Sequence, residues 1–382
     1  MRIPGARPLL WFGLVGRFPN SMYPVGLVFA VEAITGSYGL AGSASAGFSL
    51  AGAVAKPIGG RLVDRYGQRL AARALLAAFV GSGVGLLVAI RAVAAPWIIV
   101  LVAVAAGLTA PNIGALTRVR WTRMAEASDM RRWQALESAS DEINFIVGPS
   151  AVSVLAAWVT ASASLVAATA LAVVGTLGVT SLPGEPRGGR ARRQGVTKWV
   201  KATHLAVLSS VGGLGMVLGG VAITIVAYTA ELGYPAWSAV IFPLNAGASF
   251  VAALFMGRIG PGDLMSQHRK ATVWLLAVLL PYGLGDGIVW FTATAMIAGL
   301  GTSPNLIQVN SLAVATTPPE RRTEAFSWIA AAAGVGIAAG SAITGLLVDA
   351  VGADAARIAV TAFGACPAAI TVAMTLTGRR GN

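Results

Sequence analysis

The sequence predicts an all-α integral membrane protein of twelve transmembrane helices, arranged as two parallel six-helix halves. Three observations lead there. Apolar residues make up 56% of the 382 positions and charged residues only 11%, with a mean hydropathy of +0.73. A soluble domain needs about 25% charged residues to face water, so an ordinary soluble enzyme is excluded. Apolar stretches long enough to span a bilayer recur twelve times, and short motifs in the first half return in the second at a nearly constant offset. Ten-residue segments of alternating polarity, the mark of a transmembrane barrel, are not visible.

A spanning helix needs about 20 mostly apolar residues. The first half offers spans near 9–34, 40–62, 70–91, 96–118, 133–158 and 162–182. The second offers spans near 202–229, 235–257, 269–285, 288–315, 323–349 and 355–377. Short turns such as Asp286-Gly287 make neighbouring spans antiparallel. Gly (47 residues) and Ala are abundant, as expected where helices approach closely in lipid. Arg2 and Arg7 precede the first apolar segment without a small-residue cleavage site, so that helix is expected to be retained. Cys366, the single cysteine, reads as a small core residue in a span.

Orientation follows from the loops. Of 28 basic residues, all but Arg17, Lys56, Arg91 and Arg357 fall on one side: the termini, the loops after even-numbered spans and the central linker. The opposite side carries Glu231, Asp286, Asp349 and Asp354 instead. Positive charge stays with the cytoplasm, so both termini are expected there. The net charge of +13 is thereby accounted for by topology, and nucleic acid is not an expected partner. Residues 183–201 form the one long polar stretch, rich in Pro, Gly and Arg, and read as a flexible cytoplasmic tether. The chain divides accordingly into an N-terminal half (1–182), a linker (183–201) and a C-terminal half (202–382).

The repeat is read from three matches. Gly107 to Asn112 (GLTAPN) returns as Gly299 to Asn305 (GLGTSPN), offset by 192–193. Arg131, Arg132 and Ala135 match Arg321, Arg322 and Ala325. Gly36 and Gly60-Arg61 match Gly233 and Gly257-Arg258 at an offset of 197. Half of the chain is 191, so the halves are parallel repeats related by an axis along the membrane normal.

Between spans two and three stands Gly59-Gly60-Arg61-Leu62-Val63-Asp64-Arg65-Tyr66-Gly67-Gln68-Arg69. This resembles the signature loop of the major facilitator superfamily, and the twelve spans, parallel halves and central linker resemble that family over essentially the whole chain. The resemblance implies the major facilitator fold around a central cavity. It also implies a gate lock built from Gly60, Asp64, Arg65, Gly67 and Arg69, in which Asp64 faces the cytoplasmic start of span eleven. A carboxylate gains there from a helix N-terminus and from an arginine partner. The second-half counterpart, Gly257 to Asp263, is degraded. Span five ends its polar part in Gly148-Pro149, which resembles the last element of a glycine-rich pattern in the family's exporters. The arginine that the family's proton antiporters usually carry within helix four has no counterpart before Arg118.

Ionisable groups inside a span are costly, so each is a functional candidate. Asp141 and Glu142, adjacent in span five, are the proton-coupling candidates, with a structural partnership to Arg17 or Lys56 as the alternative. Two neighbouring carboxylates in a low dielectric raise at least one pKa. Arg17, beside Pro19, Asn20 and Pro24, reads either as cavity-facing or as snorkelling to the interface. Helices one, four, seven and ten line the cavity in the family, which makes Asn112, Asn305 and Gln308 the polar substrate candidates beside Arg17. His204 and His268 read as surface histidines.

The functional expectation is secondary transport of a small molecule by alternating access, driven by a proton and directed to export of an amphipathic drug-like compound or metabolite. One charge crossing about 100 mV supplies about 2.3 kcal/mol, roughly a fifty-fold gradient. Uptake of a small polar or anionic metabolite is the alternative within transport. A membrane-embedded enzyme would need a nucleophile or metal constellation that two histidines and one cysteine do not build, and a sensor would be expected to carry an appended soluble domain. No catalytic residue, metal or cofactor is expected. The expected partners are the substrate and the lipid bilayer, with the chain acting as a monomer in a bacterial inner (plasma) membrane.

Overall fold

The computed structural model describes residues 5–124, 130–183, 202–256, 263–316 and 322–378. Fifteen α-helices run through them, with no strand among the described residues. In order they are α1 (Ala6–Val15), α2 (Phe18–Thr35), α3 (Tyr38–Tyr66), α4 (Gln68–Arg91), α5 (Pro96–Thr109), α6 (Ile113–Met124), α7 (Met130–Trp158) and α8 (Ala163–Ser181). The second half adds α9 (Ala202–Glu231), α10 (Ser238–Met256), α11 (Leu264–Leu279), α12 (Ile288–Gly299), α13 (Thr302–Thr316), α14 (Arg322–Val351) and α15 (Ala353–Gly378). Taking the interrupted pairs α1–α2, α5–α6 and α12–α13 as one unit each, the described helices group into twelve, which fits the expected count. Among the described residues, six stretches are, by length and composition, apolar enough to cross a membrane, including Gln68–Arg91 and Val207–Glu231. Large apolar side chains such as Val88, Leu101, Val166 and Leu254 stay exposed on the outside, as a lipid-facing surface requires.

The interruptions fall where the chain withholds a backbone donor. Pro19 cannot donate to the Val15 carbonyl, so span one breaks at Gly16-Arg17, and the Arg17 amide bonds to the Leu14 carbonyl instead. Pro24 is accommodated inside α2. Pro111 separates α5 from α6, and its repeat partner Pro304 lies in the first turn of α13, just after the break at Leu300-Gly301.

The repeat seen in the sequence recurs at the level of contacts. A Cβ on Gly107 would sit 2.2 Å from the Phe48 carbonyl oxygen, and one on Gly299 would sit 2.1 Å from that of Asn245. Gly107 and Gly299 differ by 192 positions, Phe48 and Asn245 by 197, the same offsets as the motifs. Only glycine lets α5 meet α3, and α12 meet α10, backbone to backbone. Gly36 and Gly233 likewise both have positive φ (69° and 81°), turning the chain after α2 and after α9.

Three sequence expectations shift, the first being Cys366, which is exposed rather than in the core. The ninth pass begins at Leu264 rather than near 269, because the Asp263 carboxylate caps α11, accepting from the Met265 and Ser266 amides at 3.3 and 3.0 Å. His268 is consequently one turn inside that helix, on the same stripe as Ala271, Thr272 and Leu275, and it is buried rather than on the surface.

Candidate functional site

The two faces of the bundle are built differently. The face where the described chain starts and stops, at Gly5 and Gly378, termed here the terminal face, is rich in arginine. Arg69 Nε donates to the Thr180 carbonyl at 3.2 Å, Arg73 donates to the hydroxyls of Thr180 and Ser181, and Arg120 donates to the carbonyls of Leu182 and Pro183 at 3.1 and 3.3 Å. Three cations thus gather on the C-terminal end of α8, where the helix dipole and unpaired carbonyls favour them. Arg120 is 2% exposed and is held in turn by Gln68 Oε1 at 2.6 Å, while Gln68 Nε2 donates to the Leu116 carbonyl.

Within the signature loop, the structure separates the residues. Gly67 adopts φ 87° and ψ 156°, a conformation open to glycine, and so makes the sharp junction between α3 and α4. Arg65 stacks over the Tyr66 ring, Arg69 serves α8, and a Cβ on Gly60 would meet nothing within 4 Å. The side chain of Asp64 lies outside the described residues, as do those of Asp141 and Glu142.

Arg17 occupies the break in span one. It is 2% exposed, donates from Nη2 to Thr117 Oγ1 at 3.0 Å, and packs against Gly114 and Gly13, where added Cβ atoms would stand 3.5 and 3.3 Å from its guanidinium. The glycines make room for a bulky cation between α1–α2 and α6. One turn along α2, Ser21 Oγ donates to Asn144 Oδ1 at 2.7 Å, and an added Cβ on Gly148 would come within 2.0 Å of the same hydroxyl. Asn144 and Gly148, four residues apart, therefore mark the stripe of α7 that meets α2, with Pro149 beside it inside the helix. Asp141 and Glu142 precede Asn144 in α7 by three and two residues.

The amides at the two repeat-related breaks are engaged with backbone. Asn112 Oδ1 accepts from the Ala115 amide at 3.3 Å and caps α6. Asn305 Nδ2 donates to the carbonyls of Ala271 and Gly301 at 2.7 and 3.0 Å, pinning α13 to α11 at the break. Gln308, one turn on, is 4% exposed. Lys56 is exposed on α3. Thr117 and Ser21, two of the partners of the buried polar groups, carry no motif that sequence reading could find, being small polar residues in apolar spans; Gln68 stands inside the signature loop, which gave it no role.

The opposite face is closed by acids and glycines. Asp349, near the end of α14, accepts from Ser37 Oγ, the Tyr38 amide and the Gly39 amide, each at 2.7 Å. Glu231 at the end of α9 accepts from the Ala353 amide at 2.8 Å. Arg357 is buried over the Tyr228 ring, pairs with Asp354, and lies 3.7 Å from Asp286. Among the described residues no three His, Cys, Asp or Glu side chains gather as a metal site.

A family model described as Major Facilitator Superfamily matches residues 9–269. The chain belongs to the Major Facilitator Superfamily. Solved structures of this fold agree: this facilitator matches the nucleoside transporter NupG with a TM-score of 0.70, at 16% identity over 98% of this chain and 99% of that one. A bacterial homologue of the iron transporter ferroportin, in an inward-facing state, matches with a TM-score of 0.70 at 14% identity over 96% and 97%. The human organic anion transporter MFSD10 matches at 0.66, with 13% identity over 96% and 100%. No curated protein matches the sequence. This facilitator is a multi-pass membrane protein and a secondary transporter rather than an enzyme.

Proposed function

We propose that this facilitator exports a small amphipathic molecule across the bacterial plasma membrane in exchange for protons, with both termini in the cytoplasm and residues 1–182 and 202–382 rocking about a central site. The observation that carries the reading is the unequal packing of α3 against α14. At the face opposite the termini the two helices touch backbone to backbone: a Cβ on Gly345 would stand 2.3 Å from the Tyr38 carbonyl oxygen, and one on Gly42 would stand 2.5 Å from that of Ser341. Midway along the pair a Cβ on Gly334 would still stand 3.1 Å from Ala53 Cβ, and beyond that point, toward the terminal face, Gly60 of α3 has open space within 4 Å. A carrier resting open to the terminal side captures its cargo there, and the positive-inside distribution makes that side the cytoplasm.

In this reading Arg17, Asn112, Asn305 and Gln308 flank the path. Arg17 and the two asparagines act through the helix breaks they stabilise, since broken helices at membrane depth are tolerated beside a cavity. Asp141 and Glu142, adjacent in α7 shortly before Asn144, are the proton-coupling pair. Asp64 closes the cytoplasmic side when the carrier turns outward.

The test is proton movement in inside-out vesicles carrying the protein, followed with a pH-sensitive dye across a panel of amphipathic cations, anions and neutral compounds. The expected result is compound-dependent dissipation of a preformed gradient that Asp141→Asn abolishes and Glu142→Gln weakens. Dissipation that persists in the double variant removes the coupling role from both acids. Accumulation of an anionic metabolite in right-side-out cells, with no export of any compound, overturns the direction.

A further inference from the structure

We propose that Asp349 is the outer lock of the transport cycle, and that α3 and α14 form a reciprocal pair of locks in which each helix offers its N-terminus to an acid near the C-terminus of the other. The inference rests on the alternating-access reading above and adds a gate to it.

The two helices run antiparallel and close together. Asp349 is the third residue from the end of α14 (Val351), and it covers the start of α3, where the amides of Tyr38 and Gly39 have no partner inside their own helix. Ser37 completes the clasp. Its hydroxyl donates to Asp349 while accepting from the Leu40 amide at 3.0 Å, so the cap of α3 and the link to α14 share one side chain. A carboxylate that takes two backbone amides and a hydroxyl at a helix N-terminus makes three charge-assisted bonds aligned with the helix dipole.

The arrangement at the other end of the same pair is its mirror in sequence. Asp64 is the third residue from the end of α3 (Tyr66), and the start of α14 lies at Arg322, on the terminal face. Acids placed in the last turn of each of two antiparallel helices, at the ends where the neighbour begins, cannot both engage while the pair pivots. Close contacts at Gly39, Gly42 and Gly345 hold the closed side together, and a Cβ on Gly39 would stand 2.9 Å from Asp349 Oδ2. Tyr38 and Glu32 also border this corner, and Glu231 serves α15 beside it, so Asp349 is the acid that joins the two halves there. It is a positioning residue. It touches no substrate and sets which face is open.

The test is pulsed electron paramagnetic resonance on the full chain in lipid nanodiscs, in a Cys366→Ser background. One spin-label pair at Ala95 and Val289, both exposed, reports the opposite face, and a second at Leu70 and Lys270, also exposed, reports the terminal face. The expected result is that Asp349→Ala raises the ratio of outward-open to inward-open molecules by about tenfold or more. Opposite-face distances lengthen while terminal-face distances shorten. Ser37→Ala, which removes one of the three bonds and keeps the acid, should shift the ratio in the same direction by less, and Asp349→Glu should restore part of it. Asp64→Asn should move it the other way.

A purely structural role would broaden both distributions without this opposed movement, and that result overturns the lock. So does a wild-type protein that interconverts on adding compound while Asp349→Ala and Ser37→Ala, both folded by gel filtration, keep wild-type populations. Labels in wild type that hold one distance under every condition overturn the alternating-access reading itself.

Discussion

Replacing Gly107 by alanine tests whether the helix crossings, rather than side-chain chemistry, hold each half together. The added methyl would stand 2.2 Å from the Phe48 carbonyl oxygen and 3.0 Å from Ala51 Cβ, where ordinary contact begins near 3.4 Å. Helices α3 and α5 must therefore separate by about 1.2 Å locally, and the obstacle is backbone, which cannot rotate away. Overpacking of this kind costs ~1–3 kcal/mol. Opposing it, alanine is favoured over glycine inside a helix by up to ~1 kcal/mol. Gly81, in the middle of α4 with nothing within 4 Å, experiences the second effect alone. The expected order of apparent unfolding midpoints in one detergent is Gly81→Ala at or above wild type, and Gly107→Ala clearly below it. Gly299→Ala should behave like Gly107→Ala, because its methyl would meet the Asn245 carbonyl oxygen at 2.1 Å. Scanning fluorimetry decides the matter. Equal midpoints for Gly81→Ala and Gly107→Ala would mean that the crossing of α3 and α5 tolerates a methyl group.

Other substitutions probe other layers. Arg120→Ala leaves Gln68 Oε1 and the carbonyls of Leu182 and Pro183 without their donor; at ~1 kcal/mol per lost bond it should destabilise by ~2–3 kcal/mol, with a lowered midpoint and no rescue by Arg120→Lys. Gly67→Ala forces a side chain into φ 87° and should cost ~1–2 kcal/mol, read as the same midpoint shift. Asp64→Asn should slow substrate turnover several-fold while leaving equilibrium binding of the compound unchanged; normal turnover would remove its role at the gate.

How far the sequence reached depends on the range of the interaction. Helix passes, their breaks and the turns are local. The prolines beside Arg17 marked span one as irregular and Gly67 marked the turn after span two, whereas the breaks at Pro111 and before Pro304 fall inside spans 96–118 and 288–315, which read as continuous. The start of α11 was missed because Asp263 looked like the remnant of a loop motif, whereas it caps the helix beside it. Pairings across the bundle were not legible. Arg69 bonds to Thr180, 111 residues away, and Asp349 bonds to Ser37 across 312. In the sequence Asp349 and Glu231 are topological charges on the acid-bearing side, with nothing to distinguish an idle surface acid from one that caps a distant helix. Arg17 was recognisable as an anomaly. Its partner Thr117 was not, since threonine is common in apolar helices and bonds to its own backbone as readily, as Thr117 also does to the Gly114 carbonyl.

The glycine crossings have a consequence for how such a chain varies. At Gly107, Gly299, Gly42 and Gly345 the contact is between one helix and the bare backbone of another, so the requirement at each place is an absent side chain opposite a carbonyl that every residue possesses. Phe48 and Asn245 occupy equivalent places in the two repeats with unrelated side chains, because what they contribute is the peptide oxygen. An architecture specified in this way concentrates its information in a few small residues and leaves the rest of each helix open to substitution by anything apolar. The cavity lining can then drift from one substrate class to another while the helix crossings stay where they are.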